Sequence, residues 1–226
     1  MRSNSLVKNF GKVWCAIAVV TSANFVYAAE ESGVTRYVRF TDNMGTHSGI
    51  LEGDSIRVLD GDPVFEDGVS PTGRTVELSD VVLEIPMNPE RVPNVMGVAG
   101  NSNNPNGSPV AVNHPRWFGK ANTSLAKNGA PVEVPFGATN FNFEGELGLI
   151  IGREGRHIPE SEAMDYLFGV TVGNDWSEND WCGERRGIEE PTHVFCKAGD
   201  TFATLGDAVV TGLDLGDLQI TVRLDG

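Results

Sequence analysis

Residues 140–152 read NFNFEGELGLIIG, with Glu144 and Glu146 one residue apart and an apolar run directly behind them. In a strand, side chains at i and i+2 share a face and lie about 6.5–7 Å apart along the chain. Read as a strand, this stretch presents two carboxylates on one side with Gly145 between them. A solvated strand face is one explanation of such a pair. The run LGLIIG favours another, because both faces turn apolar immediately after Glu146. Two carboxylates that face an apolar interior need a cation, or one of them must stay protonated.

Outward from this strand, a third acid stands in VTVGNDWSEND, where Asp175 ends an apolar run and polar residues follow. Two or three carboxylates at strand ends, completed by water, suit Mg²⁺ or Mn²⁺, ions that keep positions open for a substrate. A structural cation that only staples strands is the simpler alternative.

The surrounding pattern is short strands and turns. TRYVRFTD alternates, GILEGDSIRVLDGDP holds two runs split by Gly53-Asp54, and RTVELSDVVLEIP follows, giving a small β domain over residues 36–95. A second unit over residues 96–226 continues with VMGVAG, APVEVP, FEGELGLIIG, LFGVTVGNDW and LQITVRLDG as strands. Helical signals are confined to PESEAMDYLFG, with Pro159, Ser161 and acidic residues at its start. With 27 glycines in 226 residues, the fold class is mostly β with little helix. LQITVRLDG reads as a strand and a turn with no second strand after it, so either its partner strand comes from elsewhere or the sequence is truncated.

The first 28 residues read as a cleavable signal peptide: Arg2, Lys8 and Lys12, an apolar centre over Val13–Val20, and small residues at Val26-Tyr27-Ala28. Thr21, Ser22 and Asn24 interrupt the run well short of the roughly 20 residues that span a bilayer. A periplasmic or secreted protein, free of the membrane after cleavage, is the expectation. Removing those three basic residues leaves 14 of the 17 against 31 acidic ones, a net charge of −17. Such a surface repels nucleic acid and anionic membrane. It holds an anionic substrate only where a local cation is supplied. Cys182 and Cys196 remain after cleavage, and their spacing leaves open whether they pair.

FEGELGLIIGREG, PESEAMDYLFGVTVGNDWS and VFCKAGDTF together resemble the fumarylacetoacetate hydrolase superfamily. FGKANTSL and VEVP are similar to segments ahead of its Glu-x-Glu strand, and YVRFTDNMGTHSGILEGDSIRVLDGDP to its small N-terminal β domain, so the resemblance covers residues 36–226. It implies a mixed β-roll of the fumarylacetoacetase C-terminal-domain type, usually a homodimer, with Mg²⁺ or Mn²⁺ held by three carboxylates. Carried across, Glu144, Glu146 and Asp175 are the metal ligands, and Lys197 is a catalytic and substrate-binding lysine. Lys120 is a second lysine for the substrate's charge. The implied substrates are 2-oxo and β-diketo acids, cleaved, decarboxylated or isomerised through a metal-stabilised enolate.

The chain departs from the family in specific places. The hydrolases' Gly-x-Asn-Tyr-x-x-His pattern becomes GNSNNPNG, with Ser102 for the tyrosine and Pro105 where the histidine falls. Glu178, Asn179 and Cys182 replace the usual residues after Ser177, and the family's closing Thr-Gly-Thr-Pro loop and last strands have no counterpart, so the catalytic unit is expected to lack its C-terminal part. His193 is a candidate substitute on a lid, or else an exposed loop histidine; His114 and His157 have weaker claims. Trp176 and Trp181 line a pocket or fill core. A degenerate metal- or ligand-binding module that keeps the fold is the alternative to an enzyme.

Overall fold

Along TRYVRFTD alternate residues turn inward, and the period of two makes strand β1 (Thr35–Asp42): Val38 and Phe40 are fully covered, whereas Arg39 and Thr41 stay half-buried. The computed structural model describes residues 33–99, 116–182 and 193–225. The expected signal peptide (residues 1–28), His114, and Asn101, Ser102 and Pro105 of the altered pattern lie outside the described residues. Strands β2 (Gly45–Glu52) and β3 (Ser55–Leu59) form the hairpin that Gly53-Asp54 foretells, with Gly53 at φ +59°, where glycine is at ease. β4 (Pro71–Glu77) extends the hairpin and β5 (Val82–Leu83) pairs back on β1. β6 (Val95–Ala99) and β7 (Arg116–Lys120) form a separate ribbon.

The remaining strands are β8 (Leu125–Lys127), β9 (Phe141–Asn142), β10 (Gly145–Ile151), β11 (Leu167–Asp175) and β12 (Ser177–Glu178). A one-turn helix α1 (Val194–Lys197) precedes β13 (Ala203–Leu205) and β14 (Ala208–Thr211). Ten strands share one mixed sheet, ordered β4-β3-β2-β1-β14-β11-β13-β8, with β10 added beside β11 and β5 beside β1. The pairing of β1 with β14, Thr35 opposite Thr211 through Val38 opposite Ala208, carries the N-terminal strands into the same sheet as the rest. This is the expected mostly β architecture with little helix.

Two apolar clusters hold it. Val38, Phe40, Leu51, Ile56 and Val58 form one. Val64, Met87 and Val209 form the other, against Ile150, Phe168 and Leu205 of the later strands. Gly169 lets β11 pass close to β14: a Cβ there would lie 2.7 Å from the Val210 carbonyl oxygen.

Three expectations are corrected. Residues Glu160–Tyr166 coil as a 3₁₀ rather than an α-helix. APVEVP forms no strand. Pro131 and Pro135 each lack a donor, and the Glu133 N–H goes to the Thr201 hydroxyl at 2.8 Å instead. LQITVR forms no ladder among the described residues. Val222 lies against Gly145, and Ile220, Val222 and Leu224 all stay exposed. No helix among the described residues is long and apolar enough to cross a membrane.

Candidate active site

The antiparallel pairing of β10 with β11 sets Gly145 opposite Asn174 and Glu146 opposite Gly173. Glu144 enters this pair and Asp175 leaves it, side by side. The Asp175 N–H donates to the Glu144 carbonyl at 2.9 Å, and the Glu144 N–H donates to the Asn174 side chain at 3.0 Å. Glu146 shares the face of Glu144 two residues on. Burial raises its carboxyl pKa above 4.5, and the negative charges of Asp175 and then Glu144 raise it further, opposed by Lys197. The sheet therefore brings the three acids that the sequence singled out into one neighbourhood, though their oxygens do not all lie within 4.8 Å of one another.

Two lysines stand among them. Lys197, buried on α1, donates to Glu144 Oε1 at 2.7 Å and to Asp175 Oδ2 at 2.8 Å. Lys120, at the end of β7, donates to Asp175 Oδ1. Its ammonium is held below the ordinary lysine range chiefly by burial, with Asp175 pulling the other way. The Lys197 ammonium also lies 5.7 Å from the centre of the Phe118 ring. The carboxylates are thus not closed round a common point but interleaved with two cations.

The wall behind Glu144 was not legible beforehand. Ser177, fully buried, donates its hydroxyl to Asn179 Oδ1 at 2.9 Å and lies 3.3 Å from Glu144 Oε1. Glu178, also fully buried, accepts the N–H groups of Thr139 at 3.0 Å, Asn140 at 3.0 Å and Asp180 at 3.2 Å. These bonds fasten the entry to β9 and the turn after β12 to one carboxylate. A periodic pattern in sequence gives no warning of an acid used this way.

Cys182 and Cys196 are joined, with Cα atoms 5.1 Å apart. His193 sits at φ +57° just before α1, its ring 5.8 Å from Phe118 and at a steep angle to it. Its ring lies with both sulfurs, the ligand atoms of all three falling within 4.8 Å of one another. Because the sulfurs are bonded to each other, they offer no thiolates to an ion there. His157 occupies a turn at φ +55°. Trp176 is stacked on Phe141, ring centres 5.4 Å apart, with its N–H on the Thr204 hydroxyl, so it packs the layer beneath the site.

Carboxylate oxygens and buried ammonium groups thus meet at the ends of neighbouring strands. Residues 88–226 match the family described as fumarylacetoacetate (FAA) hydrolase, C-terminal, and residues 35–86 that described as Rv2993c-like, N-terminal. The chain belongs to the fumarylacetoacetate hydrolase family. Within that family it is 33% identical over 159 residues to Protein Rv2993c of Mycobacterium tuberculosis, covering 69% of this chain and 57% of that one. It is 34% identical over 115 residues to the mitochondrial oxaloacetate tautomerase fahd2 of Xenopus laevis, covering 50% of this chain and 35% of that one. Among solved structures, a 5-carboxymethyl-2-hydroxymuconate delta-isomerase from Mycobacterium smegmatis superposes with a TM-score of 0.68 at 31% identity, covering 79% of this chain and 68% of that one. The chain thus spans little over half, or less, of the curated relatives' length. Glu144, Glu146, Asp175, Lys120 and Lys197 all fall inside the fumarylacetoacetate hydrolase match.

Proposed function

We propose that this chain is a divalent-metal enzyme that isomerises a 2-oxo or β-diketo acid through its enolate. The observation that carries it is the pairing of the buried ammonium groups of Lys120 and Lys197 with Glu144 and Asp175, with Glu146 close enough for their charges to act on it. The acids fit a hard ion: all donors are carboxylate oxygens, and Glu146 is disfavoured as an anion by its neighbours, a cost that a divalent cation offsets. Glu144, Glu146 and Asp175 would hold Mg²⁺ or Mn²⁺, and the bound ion supplies Lewis-acid stabilisation of an enolate. Lys197 and Lys120 hold the substrate's carboxylate and oxyanion, which lets a strongly acidic protein bind an anion. Ser177 and Glu178 keep Glu144 in place.

Isomerisation is favoured over hydrolysis or decarboxylation by two things. Ser102 and Pro105 stand where the hydrolases carry tyrosine and histidine. Two of the relatives are named as a tautomerase and an isomerase. Export to the periplasm or beyond belongs to the same proposal, since a disulfide suits an oxidising compartment. So does a homodimer, for which the exposed Leu149, Ile151 and Val172 of β10 and β11 offer an apolar surface. A second reading, a degenerate module, is favoured by Lys197 standing between Glu144 and Asp175.

Calorimetry with Mn²⁺ on wild type and Asp175→Ala, followed by assays of keto–enol exchange on oxaloacetate and acylpyruvates, decides between them. Binding lost in the variant with turnover in the wild type supports the enzyme. Binding without turnover supports the module, and no binding defeats both metal readings.

A further inference from the structure

The helix that carries Lys197 is one turn long. Val194–Lys197 has two helical hydrogen bonds, Lys197 N–H to the His193 carbonyl at 3.0 Å and Ala198 N–H to Val194 at 3.0 Å. A single turn is far below the length at which a helix holds itself together in water. It is entered through His193 in the left-handed region and leaves Val194 and Phe195 in solvent. Its two buried residues are Cys196 and Lys197.

Cys196 is bonded to Cys182, and Cys182 sits on a firm mount. The Cys182 N–H reaches the Asn179 carbonyl, and the turn Asn179–Trp181 is capped by Glu178, whose carboxylate also grips Thr139 and Asn140. Ser177, on the same mount, touches Glu144. The disulfide therefore joins the wall bearing Asp175 and Ser177 to the turn bearing Lys197. A bond between residues 14 apart restricts that turn more than its own hydrogen bonds do.

We propose that the Cys182–Cys196 disulfide is a redox-cleavable strap that holds the Lys197 ammonium on Glu144 and Asp175. The reductant is a dithiol. One of its thiolates attacks the sulfur of Cys182, which is half-buried where Cys196 is fully covered. Cys196 leaves as thiolate and Cys182 is held in a mixed disulfide; the reagent's second thiolate then attacks the reagent sulfur of that bond, expelling the Cys182 thiolate and closing the reagent's own disulfide. Two electrons and two protons pass to the protein, giving two cysteine thiols. The ring of His193 lies beside both sulfurs. Released, the single turn loosens, and Lys197 no longer stands preorganised. That the loosened form binds substrate more weakly rests on the proposed role of Lys197; the strap itself does not.

The test labels lysines of the whole chain, without metal or substrate, using a water-soluble N-hydroxysuccinimide ester read peptide by peptide by mass spectrometry. Labelling is compared before and after dithiothreitol, with thiols counted. Reduction is expected to expose two thiols and to raise the labelling rate of Lys197 by at least about tenfold, less than the full effect of opening a loop of this length. Lys120, held by β7, stays slow. Cys182→Ser/Cys196→Ser is expected to label like the reduced protein and to ignore dithiothreitol. Cys182 and Cys196 found as free thiols before reduction, or an unchanged Lys197 after it, overturns the proposal. A joint rise at Lys197 and Lys120 also overturns it, because the bond then holds the whole fold. Failure of the enzyme reading leaves these outcomes intact, since no step depends on turnover.

Discussion

Lys197 and Asp175 are bonded at 2.8 Å, and the same ammonium reaches Glu144 at 2.7 Å while Lys120 takes the other oxygen of Asp175. Among the described residues, Asp175 is the carboxylate hydrogen-bonded to both lysines. Asp175→Asn keeps the shape but withdraws the charge, leaving two largely buried ammonium groups with too little compensation. Breaking one partner of a buried pair costs about 3–5 kcal/mol, and in a chain of this size each kcal/mol moves Tm by roughly 2–4 °C. A fall of roughly 10 °C in a chelator, together with loss of Mn²⁺ binding by calorimetry, is the expected outcome. An unchanged melt would show that the lysine pairs contribute nothing to stability.

Glu146 carries the opposite signature. Its carboxyl pKa is raised above 4.5 by burial and by Asp175 and Glu144. Over the window between 4.5 and that raised value the folded chain binds more protons than the unfolded one. Its contribution to stability is full below 4.5 and is lost as pH rises through the folded pKa. Glu146→Gln removes the penalty at neutral pH. In a chelator, the Tm of the variant relative to wild type should therefore climb between pH 4 and pH 7, modestly because the side chain, though partly covered, still meets solvent. The same variant should bind Mn²⁺ more weakly. A difference in Tm that stays flat with pH would remove Glu146 from the acid cluster.

What the sequence announced, and what it hid, follow from the range of the interactions. The hairpin of β2 and β3, the apolar strands β10 and β11 and the positions of Glu144, Glu146 and Asp175 at their ends were legible, because period two and a Gly-Asp turn act over a few residues. The pairing of β1 with β14 joins residues 35–38 to 208–211 and leaves no local mark. Ser177 and Glu178 look like ordinary loop polars, yet both are fully buried, because their partners at residues 139, 140 and 144 come from the chain on either side of β9, far off in sequence. APVEVP shows the reverse error: its alternation was genuine, but its prolines and the Thr201 hydroxyl took the backbone out of any ladder.

Glu178 gives a prediction about that hidden wall. Its carboxylate accepts three backbone N–H groups, from Thr139, Asn140 and Asp180. Glu178→Gln is nearly isosteric, but it replaces one acceptor oxygen with a donor that faces donors. Each buried group left unsatisfied costs about 1–3 kcal/mol, so urea unfolding should show a loss of roughly 2–4 kcal/mol. Mn²⁺ affinity should fall as well, because Ser177 and through it Glu144 lose their mount. Full stability in the variant would mean that the turn is held by other contacts.

Lys120 separates the roles of substrate holder and structural cation. Its side chain is almost wholly buried, and burial holds its pKa below 10.5 against the pull of Asp175. Lys120→Met keeps the length and removes the charge, while Lys197 still answers Asp175. Replacing a buried ion by an apolar side chain of similar volume is often neutral or stabilising, so the melt at pH 7 should hold or rise. Between the folded-state pKa and 10.5 the unfolded chain binds more protons than the folded one, so this lysine makes wild type gain stability as pH rises there. The methionine variant loses that gain, which melts between pH 8 and pH 10 would register. Mn²⁺ should bind at least as tightly, one neighbouring positive charge being gone. The 2-oxo acid, by contrast, loses a charge-assisted bond worth about 1.5–3 kcal/mol, and KM should rise by roughly one to two orders of magnitude. A variant that lost Mn²⁺ and kept its KM would make Lys120 a support for the metal ligands rather than a contact for the substrate.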